Sequence, residues 1–144
     1  MRPTFFSTIL RAICFLLAAL LLLPLCACSG GLPATASAAR KAIRSLGFEN
    51  EITFEEYAAA QADGRKAVLL YADANAESFF QAVLYDSEEH ARAAYGVLLD
   101  DDLLAVELEN GNRILNAVGK WVVIGPEEAV RAFSGGPDPA VTNP

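Results

Sequence analysis

The chain contains one histidine, His90, one tryptophan, Trp121, and three cysteines, all within the first 28 of its 144 residues. No cysteine follows Cys28, so the rest of the chain can form no disulfide or thiolate metal site of its own and offers no cysteine nucleophile. Basic residues are scarce as well: 11 Lys and Arg stand against 18 Asp and Glu, for a formal net charge of −7. That balance argues against nucleic acid as a partner, because phosphate binding needs a surplus of Lys and Arg on one face. There is no Gly-rich phosphate loop, no Gly-x-Ser-x-Gly elbow and no His-Glu-x-x-His helix. Carboxylates are plentiful, but nothing in their spacing holds two of them across a cleft. The expectation is a protein that is not an enzyme and carries no cofactor and no metal.

Two polar features invite sharper readings and do not sustain them. His90 falls in the first turn of an expected helix among Glu88, Glu89 and Arg92, an ordinary setting for a surface histidine. Asp100, Asp101 and Asp102 are consecutive. A calcium loop of the EF-hand type needs oxygens on alternate residues, a central Gly and a closing Glu, so this run reads as a solvated loop.

The N-terminus has a clearer character. "MRPTFFSTILR" holds Arg2 and Arg11 and no acid, and "AICFLLAALLLLPL" is apolar and uncharged, which are the two leading regions of an export signal. The apolar run from Ala12 to Ala27 is short of the roughly 20 residues a bilayer span requires, and Pro24 interrupts a helix near its end. Leu25, Cys26, Ala27 and Cys28 then follow. This stretch resembles the lipobox of bacterial lipoproteins, with Cys26 standing where Ala or Ser is usual. The resemblance implies cleavage before Cys28 and a thioether from its sulfur to diacylglycerol, a membrane anchor of palmitate-type acyl chains. It covers about the first thirty residues and implies nothing about the fold behind them. The protein is then expected on the extracytoplasmic side of a membrane, inner or outer. Without Arg2 and Arg11 it keeps nine basic residues against eighteen acidic ones, a net charge of −9.

Composition divides the remainder. Residues 1–27 read as the signal peptide, 28–37 as a flexible Gly, Pro, Ser and Ala tether, 38–134 as the folded domain and 135–144 as a disordered tail. In the domain, "SAARKAIRSLG" places Ala39, Ala42, Ile43 and Leu46 on one helical face before Gly47. "TFEEYAAAQADG" has Thr53 and Glu56 in capping-box spacing and predicts a second helix ending at Gly64. Arg40, Lys41 and Arg44 on the first helix suit either anionic headgroups or a solvated face.

"KAVLLYAD" and "SFFQAVLYD" predict a hairpin closed by "ANAE". "LLAVELE" and "NRILNAV" predict another across Asn110 and Gly111, and "KWVVIG" a fifth strand. The competing reading makes "RILNAVGKWVVIG" the hairpin and adds "LLAVELE" to the preceding helix. Sixteen residues from Gln81 align without a gap with sixteen from Lys120, each a strand running into a helix, the first capped by Asp86 and the second opened by Gly125 and Pro126. Either a duplicated strand-strand-helix unit or reuse of good helix-start chemistry explains the likeness. Duplication predicts both helices on one face.

The expected fold is α+β, a mainly antiparallel sheet of four or five strands with helices packed on it. Both faces of the second and fifth strands are apolar, so both need a cover. Helices supply it, or a partner does so over a surface built on Trp121, Tyr85 and Tyr71. The function these features point to is an interaction module, lipid-anchored in the cell envelope, for another envelope protein or peptide. The alternative is a small-molecule or ion-binding accessory domain with a pocket between sheet and helices.

Only a thiol forms the thioether, so Cys28→Ser should abolish labelling by an alkyne analogue of palmitate and leave the precursor uncleaved. Cys26→Ala should change neither. Intact mass of the membrane fraction reads both outcomes, and an unlabelled wild type that retains Met1 would overturn the lipobox reading.

Overall fold

The computed structural model describes residues 31–135; the expected signal peptide, the box Leu25 to Cys28 and residues 136–144 lie outside the described residues. Helix α1 (Ala36–Ser45) begins where the Thr35 hydroxyl accepts a hydrogen bond from the Ala38 amide, and it buries Ala36, Ala39 and Ile43 on one stripe. Three strands follow as a meander: β1 (Asn50–Glu56), β2 (Arg65–Ala72) and β3 (Phe79–Tyr85). Then come α2 (Glu88–Leu99), α3 (Asp102–Asn110), a hairpin of β4 (Arg113–Val118) and β5 (Trp121–Pro126), and α4 (Glu127–Phe133). The sheet order is β1-β2-β3-β5-β4, and every neighbouring pair is antiparallel. The protein therefore has an α+β fold, an open five-stranded sheet with helices packed on it.

Two segments depart from the sequence-based expectation. The helix expected from Thr53 is instead β1 and the connection to β2. Phe54 pairs with Leu69 and Glu55 with Val68, so ladder bonds to β2 outweigh the capping-box signal. The alanines 58–60 are exposed and have no apolar surface to hold a helix against. The strand expected from "LLAVELE" is α3. Asp101 decides this, because its carboxylate accepts hydrogen bonds from the Leu103 and Leu104 amides at 3.0 and 3.1 Å and so caps a new helix. The competing hairpin, β4 with β5, is the one formed, turning at Gly119 with φ +56°.

The two faces of the sheet are built differently. On the first, α1 and α4 cover Leu69, Tyr71, Phe80, Ala82, Trp121 and Val123. Phe48, Phe80, Phe133 and Trp121 form a chain of ring contacts with centroids 5.4 to 5.5 Å apart. Gly125 makes room for it, since a Cβ there would lie 2.7 Å from Phe80. On the second face, Ala91, Ala94, Tyr95 and Leu98 of α2 pack on Val83, Tyr85, Val122 and Leu115. The domain also starts earlier than residue 38, because Leu32 packs against the first-face core and the Pro33 carbonyl accepts a 2.8 Å hydrogen bond from Trp121 Nε1.

Helices α2 and α4 thus lie on opposite faces, contrary to the duplication expectation. A twofold rotation that exchanges the antiparallel neighbours β3 and β5 runs perpendicular to the sheet and keeps each helix on its own side. The likeness of the two segments is therefore one of helix-start chemistry. In both, two acids occupy the first turn and an Arg pairs with the first of them, Arg92 with Glu88 and Arg131 with Glu127. The caps themselves differ: Ser87, not Asp86, caps α2 by accepting from the His90 amide, and Pro126 precedes α4 without a side-chain cap.

Phe133 is 3% exposed and touches both Phe80 and Trp121. Phe133→Ala should cost about 3 kcal/mol or more in denaturant unfolding, whereas Leu103→Ala on α3, where Leu103 is 80% exposed, should stay within about 0.5 kcal/mol of wild type.

Candidate functional site

The three aromatics expected to form a partner surface do not form one. Trp121 is 1% exposed, Tyr71 0% and Tyr85 7%, and Tyr85 lies in the second-face cluster while the other two lie in the first. Each is held by its own surroundings. Trp121 bonds Pro33, while Tyr71 donates to the Glu51 carboxylate at 2.6 Å. Burial, and then the Glu51 carboxylate, push the Tyr71 hydroxyl up to about 12. Glu51 is held low by that hydrogen bond and by Arg40, whose guanidinium lies 2.5 Å from it and over the Phe54 ring. Arg40 is therefore part of the joint between α1 and the sheet, and Lys41 and Arg44 are left exposed.

Open surface lies on the second face. Helix α2 packs on β3, β5 and β4, and α3 on β4 and α2, so among the described residues no helix lies over β1 and β2 on this side. Val68 and Leu70 of β2 remain half-buried, and Ile52, where the β1 ladder shifts by one residue, is 52% exposed. Between this open half and α2 runs a groove of about 570 Å³. Its middle is lined by Val83, Ala93, Ala94, Val97 and Leu98, with Gln81 on the strand floor, and Asp63, Arg65, Tyr85 and His90 also border it.

One end of the groove is a cluster of paired charges. Arg65 lies 2.6 Å from Asp63, and His90 Nδ1 lies 2.5 Å from the Asp86 carboxylate. The turn before β2 closes on them: the Gly64 carbonyl accepts from the Asp86 amide, and a Cβ on Gly64 would come within 2.5 Å of His90. Gly64 also has φ +87°, so this position excludes a side chain on two grounds. The bond from Asp86 and its charge raise His90 above its ordinary value, and the same bond lowers Asp86.

A second open surface is α3, which has no buried residue. Leu104 and Leu108 are half-buried, while Leu103 is 80% and Val106 56% exposed, and Leu99 at the end of α2 is 55% exposed. Around these apolar side chains stand Asp100, Asp101, Asp102, Glu107 and Glu109. The aspartate run is thus a helix junction, with Asp100 ending α2 and Asp101 starting α3. Sequence reasoning passed over this surface, although an Asp before an apolar stretch is itself a helix-start signal.

Among the described residues no group of three His, Cys, Asp or Glu side chains is placed to hold a metal ion, and no helix is long and apolar enough to cross a membrane. Cys28 and its box lie outside the described residues. No family model, no curated protein and no solved structure matches the chain.

The His90 contribution to stability should be complete below about 6.5 and lost as pH rises through the raised folded-state value; that of Asp86 should be present above about 3.8 and lost as pH falls through its lowered one. His90→Gln should therefore lower Tm between these values, and the difference from wild type should vanish on the alkaline side. An NMR titration of the His90 ring checks the direction of its shift.

Proposed function

We propose that this chain is a lipid-anchored lipoprotein of the cell envelope whose α+β domain is a non-catalytic module that docks another envelope protein. The sequence Leu25 to Cys28 supports the anchor, and two acyl chains at about 0.8 kcal/mol per buried methylene would hold the domain at a membrane surface. The observation that carries the docking role is α3. A nine-residue helix with no buried side chain and with Leu103 and Val106 turned to solvent gains little from its own fold. Covering those side chains with a partner would supply the missing burial.

The acids around them set the partner's character. Asp100, Asp102, Glu107 and Glu109 would repel both nucleic acid and anionic headgroups, and they match an apolar contact rimmed by Lys and Arg. In cells, a photo-crosslinking residue at position 103 of the lipidated protein should capture one envelope protein through a segment of that composition, and Cys28→Ser should reduce capture. Crosslinks only to lipid, or only to a second copy of the chain, would overturn the reading.

A second reading, a small-molecule accessory domain, is favoured by the groove between α2 and the sheet, whose apolar middle and few polar groups have the composition of a ligand site.

A further inference from the structure

We infer that the groove between α2 and β3 binds an uncharged amphiphile, with its apolar tail along Val83, Ala94 and Val97 and its polar head toward Tyr85. The assignment rests on the small-molecule reading of the groove and is independent of the docking surface on α3. Its first ground is shape. The volume of about 570 Å³ falls in the range of small-ligand sites, and the floor from Gln81 to Tyr85 spans about 13 Å of strand. A single slender tail fits such a trough better than a folded peptide does.

The second ground is charge. The cations near the groove already face carboxylates, Arg65 with Asp63 and His90 with Asp86. An anionic head would have to draw Arg65 or His90 from its partner and approach Asp63, and a cationic head would have to displace one of them from its carboxylate. The remaining polar group at that end, the Tyr85 hydroxyl, is a neutral hydrogen-bonding group that suits a hydroxyl or carbonyl. Burial pushes the Tyr85 hydroxyl upward, so it keeps its proton at neutral pH.

The third ground is accessibility. Ala93 and Val97 on the α2 flank are exposed, and among the described residues no helix covers the neighbouring β1 and β2. A ligand can enter sideways from a membrane surface without any element opening. The groove is therefore a shelf for a lipid-like molecule with one chain, of the monoacylglycerol class.

The test uses the full lipidated chain in proteoliposomes and three diazirine probes with the same decanoyl or decyl tail: a monoacylglycerol, a carboxylate and a trimethylammonium. The monoacylglycerol probe should label β3 and α2 saturably, and excess unlabelled monoacylglycerol should remove the signal. The two charged probes should label the same segments at least tenfold less. Ala93→Trp, which plugs the trough, should cut labelling at least tenfold. Ala93→Ser should not, and Val97→Glu gives a second block should the Trp variant unfold. Equal or stronger labelling by a charged probe would overturn the uncharged head and leave the groove as a ligand site. Absence of saturable labelling by all three, or labelling unchanged in both blocking variants, would overturn the groove itself.

Discussion

The chain of aromatic contacts from Phe48 through Phe80 and Phe133 to Trp121 is the constraint on which the rest of this domain depends. It ties together the exit of α1, the start of β3, the start of β5 and the end of α4, which are brought together from across the chain. The Trp121 indole extends the chain to Pro33, so the residues just before α1 are also held to the sheet. Gly125 is the concession this packing requires, because Phe80 occupies the space a side chain there would take. Tyr71, Phe80 and Trp121 are all buried in the first-face core and offer no surface to a partner.

That commitment determines where interaction is available. Among the described residues the second face is covered over β3, β5 and β4 and is open over β1 and β2, and the connection between the two helices leaves α3 held by two half-buried leucines. The two edges of the sheet differ as well. β1 carries Glu51, Glu55 and Glu56 and a shift in its ladder, features that oppose the addition of another strand. Apolar side chains meet solvent on a face and a helix rather than at this edge.

Charge has separate roles in these regions. Near the groove it is paired locally, Asp63 with Arg65 and Asp86 with His90, and the surroundings are close to neutral. Around α3 it is uncompensated acid. The joint between α1 and the sheet shows a third use, in which Arg40, Glu51 and Tyr71 share one network that ties the helix to β1 and β2. These exposed or half-exposed pairs each contribute modestly to stability; their larger effect is on which surfaces remain free to attract a partner.

Much of this architecture was legible in the residues alone, for local reasons. The stripe through Ala39 and Ile43, the apolar runs of β2, β3 and β5, and the helix starts near residues 87 and 127 each depend on neighbours a few positions away. Non-local effects decided the rest. Residues 53–56 carry a helix-start pattern, and only their pairing with β2 makes them a strand. Asp101 caps α3 within a run that otherwise reads as loop followed by strand. Trp121, Tyr85 and Tyr71 looked like a surface because their strands are apolar on both sides, and an alternating pattern assigns residues to faces without telling what covers each face. The groove and the exposed side of α3 arise from which half of the second face α2 and α3 cover, a choice set by the packing of whole elements and not encoded in any one stretch of the chain.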